Sequence, residues 1–533
     1  MNSLINRANK RASFGNAATL LIVVSLFGQL LGFFRNRLVS TNFTVVDPGS
    51  TDAFFAAFQI PDFFFLTIAA GALGVAFMPV LADHMERGDK KGVWELTSSL
   101  LNLLSLAMGV VALIIFLFAE PLLHYVVAPG LTPDQLHKAT MIMRIIALNP
   151  LLFTLSGILT SVQQTFGRFF FFAIAPLFYN LSIIVSVYLF KDNLGIVGLG
   201  VGALVGAILQ LLVALLGLWG LDFNYRRRIN LKSRDFKLIL RQLPARSIDQ
   251  GIDSINSIVE TNRAKMLGDG PVSYYNYAAT LQNVPIMLFG TSIATAAFPR
   301  LVEKLAQNRP DLFHKEFFKI LRIMIWIAMP IAVLAYFARG YLARLLYGDV
   351  SREVALIFGY LSLAIFCRII YTMLSRFFYA QKDTKTPLFV SLFAIALNIV
   401  LVFQLAKPTA YGMTGLALAQ SIVAFVEVVM LGTIMLLRDP DLFDRAFWGA
   451  VAKIVSVTGF SIITAFVMVS FVPLARTDRG LATLGIKLGT IFGVTLAMHV
   501  GMSALFGLEE AKIVLNKAYR FIWRPIPIFS KKN

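Results

Sequence analysis

Long runs of mostly apolar residues, separated by short polar gaps, recur along the whole chain of 533 residues. A helix needs about 20 mostly apolar residues to cross the hydrocarbon core of a bilayer. Only 14% of the residues are charged, against roughly 25% in soluble globular proteins, which excludes a soluble fold. The sequence therefore predicts an all-α polytopic membrane protein with about fourteen spans. The predicted spans are 17–39, 52–82, 94–123, 139–163, 169–190, 194–220, 238–264, 272–299, 316–346, 353–380, 386–405, 411–437, 446–473 and 481–507.

The net charge of +19 is distributed unevenly between the gaps. Basic residues are concentrated in every second gap, and the densest cluster lies in 221–237. This alternation is typical of membrane proteins, whose cytoplasmic loops are rich in Lys and Arg. It predicts that both termini are cytoplasmic, and it argues against nucleic acid as the partner of the basic residues.

Two stretches of the chain resemble each other at polar and proline positions as well as at apolar ones. The segment from Asp52 to Pro61 resembles that from Asn276 to Pro285, with equal spacing to the proline. We interpret spans 1–6 and 7–12 as two parallel six-helix lobes, with Pro61 and Pro285 as candidate hinges. Two C-terminal helices lie outside the repeat. The predicted domains are 1–220, the basic loop 221–237, 238–437, the lipid-groove helices 438–510 and the basic tail 511–533.

Span 7 carries polar residues every three or four positions, which places them on one helical face. Such a face is intolerable in hydrocarbon, so it must face water or other helices. One interpretation is a water-filled cavity in which the acids position the arginines or bind a coupling cation; the other is a dry salt-bridge ladder. The residues of this face are Arg246, Asp249, Asp253, Asn256, Glu260 and Arg263.

A second group of candidate site residues lies in spans 1 and 2. Gln29 and Arg35 lie near the end of span 1, and Asp52 begins span 2. Arg35 could anchor the helix at lipid headgroups, or it could bind phosphate, because its guanidinium matches the geometry of phosphate oxygens. Both interpretations fit the spacing.

Several classes of function are excluded by what the sequence lacks. Its single cysteine, Cys367, lies in an apolar run, and its five histidines show no metal-ligand spacing. No P-loop and no nucleophile–base pattern occurs. We therefore expect a transporter that is not an enzyme and that holds no metal and no cofactor, driven by a monovalent cation or by the membrane potential.

Motifs in chain order from about residue 17 to 437 resemble the MurJ/MviN lipid II flippase family. Among them, the Gln-x-Asp-x-Lys-Thr-Pro segment is the most specific. The motifs are Leu31 to Arg35, Asp52 to Asp62, Ala70 to Pro79, Ala128 to Gly130, Gly167 to Phe169 with Pro176 and Asn180, Val272 to Ala278 with Pro285, Leu345 to Gly348, and Phe378 to Pro387.

The resemblance implies fourteen helices and a central cavity whose arginines hold the pyrophosphate of a lipid-linked peptidoglycan precursor. Arg35 retains such an arginine, whereas other positions depart from the pattern. Arginines of the family are replaced by Gln29, Phe65, Leu66 and Thr280, and an acidic residue by Ala69 or Ala70. The face of span 7 could supply substitutes through Arg246 and Arg263.

The resemblance implies a flippase that moves undecaprenyl-pyrophosphate-linked precursor (lipid II) across the bacterial cytoplasmic membrane by alternating access. Its expected partners are that precursor, membrane lipids and cell-wall synthesis proteins. Three alternatives remain: a flippase of another polyprenyl-linked glycan, an ion-coupled small-molecule exporter of the same superfamily, and a scaffold that has lost transport.

Overall fold

The computed structural model describes residues 14–45, 51–70, 77–440 and 442–512, with side chains except at 14–19, 22, 69–70, 242–250, 252 and 349. These residues form helices and connecting turns, without strands. The α-helices are α1 Phe14–Asn42, α2 Thr51–Phe64, α3 Met78–Glu86, α4 Lys90–Pro121, α5 Pro133–Ile146, α6 Asn149–Thr165, α7 Phe170–Phe190, α8 Val197–Leu216, α9 Arg234–Lys265, α10 Pro271–Pro285, α11 Ser292–Ala306, α12 Pro310–Phe337, α13 Arg339–Tyr347, α14 Ser351–Ala380, α15 Lys385–Leu405, α16 Thr414–Arg438, α17 Arg445–Phe471 and α18 Leu481–Leu505.

Eleven helical stretches in the described part of the chain are long and apolar enough to cross a membrane. They coincide with eleven of the predicted spans, so the all-α polytopic fold class is confirmed. The other three predicted spans, 17–39, 52–82 and 238–264, fall on α1, on α2 with α3, and on α9. The total of fourteen stays a prediction.

The chain forms two compact units. Unit 1 comprises Met1–Tyr277 and Asn398–Leu416, and unit 2 comprises Ala278–Leu397 and Ala417–Asn533. In unit 1, α7 packs on α8 and on α1, and α2 packs on α5 and α9. In unit 2, α12 packs on α14 and α17, and α17 packs on α18. The two C-terminal helices therefore belong to the packed body of unit 2; the predicted domain boundaries themselves stay a prediction.

In the part of the chain that the structure describes, three π-helical turns each follow a proline. They are π1 Phe65–Ala70 after Pro61, π2 Leu122–Val127 after Pro121, and π3 Ile286–Thr291 after Pro285. Proline has no N–H to donate and its ring crowds the carbonyl one turn earlier, so the regular hydrogen-bond ladder is interrupted there. The two predicted hinges thus lie at matching irregularities in the two halves of the sequence. Their movement stays a prediction.

A row of glycines on α8 lets that helix approach α7 closely, as the small-residue spacing of Gly198, Gly202 and Gly206 predicts. A Cβ atom on Gly202 would lie 2.2 Å from Ser186 Oγ. A Cβ atom on Gly206 would lie 2.9 Å from Tyr179 Cα and 3.0 Å from its carbonyl oxygen. These neighbours include backbone atoms of α7, which cannot rotate away.

Gly206→Ala is therefore expected to destabilise unit 1 by about 1–3 kcal/mol, the usual cost of overpacking a close contact. The melting temperature of the detergent-solubilised protein measures this effect. Gly109→Ala on α4 is the matched control, because a Cβ atom there meets nothing within 4 Å. Equal melting temperatures for the two variants would contradict the close-approach role of Gly206.

The Gln-x-Asp-x-Lys-Thr-Pro segment begins α15, and Asp383 organises it. Its carboxylate accepts hydrogen bonds from the backbone N–H groups of Lys385 and Thr386 and from Thr386 Oγ1. It also forms an ion pair with Arg438 at 2.8 Å. Desolvation alone would raise the pKa of Asp383, but the Thr386 hydrogen bonds and the Arg438 guanidinium lower it to about 2.

Because the pKa of Asp383 is lowered in the folded protein, its carboxylate stabilises the fold in a pH-dependent way. The folded-state pKa of Asp383 lies below the unfolded value of about 3.9, so its contribution is complete above about pH 4 and is lost as the pH falls towards 2. The melting temperature of the wild type should therefore exceed that of Asp383→Asn at pH 6. The difference should narrow as the pH falls from about 4 to 2. A constant difference over that range would show that the carboxylate charge is irrelevant.

Candidate functional site

The Arg35 guanidinium is held in a fixed position on α1. Its Nη1 donates to Asn180 Oδ1 at 3.0 Å, and its Nε and Nη2 donate to Asn36 Oδ1 at 3.2 and 3.0 Å. Asn36 is buried, whereas Arg35 is half-buried. Because the guanidinium is planar, hydrogen bonds from three of its nitrogens to two asparagines fix its orientation. The structure thus joins two motifs that lie 145 residues apart in the sequence.

An acidic residue and a tyrosine accompany Arg35. Asp62, one residue after Pro61, has an exposed side chain and interacts electrostatically with Arg35. Tyr179, the neighbour of Asn180, interacts electrostatically with both. A cation on α1 and an acid on α2 that interact favour a hydrated polar surface, because an exposed charge in hydrocarbon is costly.

Asp52 lies at the start of α2 in a cage of donors. Its Oδ1 accepts from Ser273 N at 2.9 Å and from Ser273 Oγ at 2.6 Å, and its Oδ2 accepts from Gly270 N at 2.7 Å. Lys265 Nζ lies 3.5 Å from the same Oδ2, and both side chains are fully buried. With so many donors engaged, Asp52 braces the ends of α2, α9 and α10 in this conformation. Its predicted place among the substrate-binding residues is untested.

The cage extends to the turn between α9 and α10. Lys265 also pairs with Asp269, which accepts from Gln135 Nε2 at 2.9 Å. Partial burial would raise the pKa of Asp269, but the hydrogen bonds from Lys265 and Gln135 hold it below its usual range. Gly130 lies against this turn, since a Cβ atom there would be 2.9 Å from the Lys265 carbonyl oxygen. The Ala-Pro-Gly motif after span 3 therefore has a packing role.

Glu260 is the centre of a second buried cluster, on the predicted polar face of α9. Its Oε1 accepts from Asn398 Nδ2 at 2.8 Å and from Asn256 Nδ2 at 3.1 Å, and its Oε2 accepts from Tyr275 OH at 3.1 Å. Asn398 Nδ2 also donates to Asn256 Oδ1 at 2.8 Å. Asn398 Oδ1 is buried without a hydrogen-bond donor. The carboxylate is thus held by two amide N–H groups and one hydroxyl.

Arg263 points away from Glu260 and towards the end of α15. Its Nη2 donates to the Ala406 carbonyl oxygen at 3.3 Å, and its guanidinium lies 4.9 Å from the centroid of the Phe403 ring. Nη1 lies 3.2 Å from Met266 Sδ. These contacts anchor the C-terminal end of α9. The hypothesis that Arg263 substitutes for a cavity arginine is untested.

For the remaining predicted site residues, the structure gives the helix and, for two of them, the exposure of the side chain. Asp253 and Gln29 are exposed, on α9 and α1. Arg246 and Asp249 lie on α9, but their side chains are outside the described residues, so a salt bridge between them stays a prediction.

Sequence reasoning missed three members of these clusters. Lys265, Asn398 and Asp62 are not among the site residues that the sequence predicts. An ionisable group within or just beyond a span was the available signal for Asp62 and Lys265. No comparable signal identifies Asn398, because its partners lie on α9.

Comparisons with known proteins agree with the motifs. The family model described as "Lipid II flippase MurJ" matches residues 48–478. The chain is 26% identical over 464 residues to a probable lipid II flippase MurJ of Buchnera aphidicola subsp. Acyrthosiphon pisum, covering 84% of this chain and 88% of that protein. It is 27% identical over 413 residues to the lipid II flippase MurJ of Burkholderia cenocepacia, covering 74% and 78%.

Solved structures show the same fold. A lipid II flippase MurJ in an inward closed conformation superposes with a TM-score of 0.73 at 22% identity, covering 95% of this chain and all of that one. An inward-facing multidrug resistance MATE transporter of the MOP superfamily superposes with a TM-score of 0.66 at 14% identity, covering 80% and 99%. Since the family model spans most of the sequence, the chain belongs to the MurJ lipid II flippase family.

Proposed function

We propose that this protein is a lipid II flippase, which moves undecaprenyl-pyrophosphate-linked peptidoglycan precursor across the cytoplasmic membrane by alternating access. Family membership supports the substrate class. The observation that carries the proposal is the Arg35 guanidinium on α1, held by Asn36 and Asn180 and accompanied by the exposed Asp62 of α2. Guanidinium groups match the oxygens of phosphate in a bidentate manner, so Arg35 can bind the pyrophosphate of the substrate.

The proposed cycle requires no covalent chemistry. The pyrophosphate and sugars cross through a polar interior, while the polyprenyl chain stays in the bilayer. The prolines and π turns at Pro61 and Pro285 would allow the helices to bend between states, because π turns occur often at functional sites. The membrane potential or the gradient of a monovalent cation would drive transport in one direction.

The Glu260 cluster is our candidate for the coupling cation. Asn398 Nδ2 donates to both Glu260 Oε1 and Asn256 Oδ1, and Asn398 Oδ1, on the same amide, is a buried acceptor without a donor. Buried polar atoms normally have partners, so an unmatched oxygen is consistent with a cation at this place. Transport by Asn398→Ala should then lose its dependence on the cation while the protein remains folded.

We propose a location in the bacterial inner membrane with both termini in the cytoplasm. The alternation of basic gaps supports this orientation. Peptidoglycan biosynthesis and cell shape follow from the proposed substrate, and cell-wall synthesis proteins are the expected neighbours.

Rescue of a bacterium depleted of its own lipid II flippase tests the proposal. Growth and normal shape after expression of the wild-type chain would support it. Membrane insertion without rescue, together with transport of another polyprenyl-linked glycan in vesicles, would favour the alternative flippase. Efflux of small cationic compounds without rescue would favour the exporter.

Single cysteines along α9 distinguish the hydrated cavity from the dry ladder. In a Cys367→Ser background, cysteines at 249, 253, 256 and 260 should react with a water-soluble thiol reagent, and those at 251, 255 and 258 should not. Exposed Asp253 should be the fastest and buried Glu260 the slowest of the reactive set. Uniform protection of all seven positions would indicate the ladder.

A further inference from the structure

A pocket of about 740 Å³ lies in unit 2, where the ends of α12, α13, α14 and α17 meet. Three arginines, Arg339, Arg344 and Arg352, are among its lining residues. The proposed topology assigns these helix ends to the outer face of the membrane. Arginines are depleted on that face in most membrane proteins, so a cluster of three there calls for a physical reason.

Two of the arginines are held by the surrounding structure. The Arg339 guanidinium lies 4.4 Å from the centroid of the Tyr336 ring, and Nη1 donates to the Tyr336 carbonyl oxygen. Its stem occupies space left by Gly359, where a Cβ atom would lie 2.8 Å from Arg339 Cδ. Arg344 Nη1 donates to the Ala475 carbonyl oxygen at 2.6 Å. One protein hydrogen bond each leaves most of their five donors available to an anion.

No acidic side chain lies among the described residues that line the pocket. The nearby carboxylate of Asp478 is already engaged, because Lys487 Nζ and the Ala475 N–H donate to it. The hydrogen bond from Lys487 contributes most to the lowered pKa of Asp478, and the Arg344 guanidinium lowers this pKa further, so this one carboxylate faces two cations. The first turn of α14, with Ser351 and Arg352, also lines the pocket and adds the positive end of a helix dipole. The pocket therefore carries a net positive potential.

A second pocket, at the opposite end of α12, does not have this excess of basic over acidic side chains. Its volume is about 680 Å³, and Lys315, Lys319 and Arg322 line it together with Asp439, Asp444 and Glu509. Arg322 is already bound to Glu509 and Glu510. Basic and acidic groups therefore balance in that pocket, whereas they do not in the outer one.

The wall of the outer pocket is apolar on the side of α17 and α14. Phe337, Val469 and Leu474 line it, and the side chains of Phe466 and Leu356 are 61% and 43% exposed. Exposed aromatic and aliphatic side chains on a span contact the hydrocarbon of the bilayer. The ligand that fits this surface has an anionic head for the arginines and a hydrocarbon chain for Phe466.

We propose that the pocket binds the phosphate headgroup of an anionic phospholipid of the outer leaflet, with an acyl chain along Phe466. The proposal rests on the topology of the proposed function, but not on transport. An anionic phospholipid is favoured over the polyprenyl diphosphate of the substrate, because the pocket belongs to unit 2, whereas Arg35 and the Glu260 cluster belong to unit 1. Such a lipid would hold the outer ends of α13 and α17 together.

Fluorescence quenching tests the site directly. Phe466→Trp places an indole at the pocket in the full-length protein, and the parent protein corrects for the five native tryptophans. In nanodiscs, phosphatidylglycerol with brominated chains should quench this indole at least about fivefold more effectively than brominated phosphatidylcholine, since each basic group contributes roughly that factor. In the double variant Arg344→Gln/Arg352→Gln, the two brominated lipids should quench the indole almost equally.

Lys315→Gln with Lys319→Gln, in the balanced pocket, is the matched control and should leave the preference unchanged. Arg352→Gln alone, at an exposed side chain, provides a mild variant if the double change impairs folding. Equal quenching by the two lipids would overturn the proposal, as would a preference that survives both changes at the arginines. Displacement of brominated phosphatidylglycerol by equimolar undecaprenyl diphosphate would assign the pocket to the polyprenyl lipid instead.

Discussion

Arg35→Ala should abolish rescue of a strain depleted of its lipid II flippase, and Arg35→Lys should restore little. The two asparagines hold the guanidinium plane, and lysine has no planar fork with which to use those acceptors or to bind pyrophosphate in a bidentate manner. Growth of the depleted strain, with membrane levels of each variant measured in parallel, provides the test.

Arg87→Ala is the control for the Arg35 variants. Arg87 forms an exposed ion pair with Asp83, and such pairs contribute about 0–1 kcal/mol. Its loss should leave rescue intact. Full rescue by Arg35→Lys would reduce the role of Arg35 to a general positive charge, and full rescue by Arg35→Ala would remove it from the site.

Lys265→Met should destabilise the protein by roughly 3–5 kcal/mol, the usual cost of removing one partner from a buried ion pair. The methionine fills a similar volume, but the fully buried Asp52 carboxylate loses its cation, and Asp269 loses its lysine. The melting temperature in detergent should fall clearly. The double variant Asp52→Asn/Lys265→Met should recover part of the loss, because the buried charge is removed with its partner.

Lys138→Met tests whether burial of the ion pair causes the loss of stability expected for Lys265→Met. Lys138 and Asp134 form another lysine–aspartate pair four residues apart, but both side chains are partly exposed. The expected loss is at most about 1 kcal/mol. If Lys138→Met and Lys265→Met lower the melting temperature equally, the buried cage does not stabilise unit 1 in the way its geometry implies.

The apolar runs and the family motifs were sufficient to predict much of this fold. Local signals such as hydrophobic runs, prolines and small-residue spacing depend on neighbouring residues, so eleven spans, an irregularity at Pro61 and Pro285 and the close packing at Gly206 could be predicted, but not the π-helical form of those irregularities. The Asp383 segment was recognised as specific, although its role as an N-terminal cap of α15 needed the structure.

Pairings between distant residues could not be predicted in this way. Asp52 and Lys265 are 213 residues apart, and only the packing of α2 against α9 brings them together. The polar face of α9 was predicted from its period, but the period does not say that Glu260 meets Asn398 or that Arg263 turns towards Phe403. The helical period shows which side chains share one face of the helix. Which residues they contact depends on how the other helices pack around that face.

The π turns after Pro61 and Pro285 determine in which direction the residues beyond them face. A π turn holds one residue more than the α-helical turn it replaces. If Ile286–Thr291 tightened into a regular α-helical turn without losing a residue, everything beyond would rotate by about 100°. Ala297 and Leu301, which are buried, would then face a different neighbour. In these helices a change between the π and the α form would act as a rotation, and its effect would appear a full turn or more away from the turn that changed.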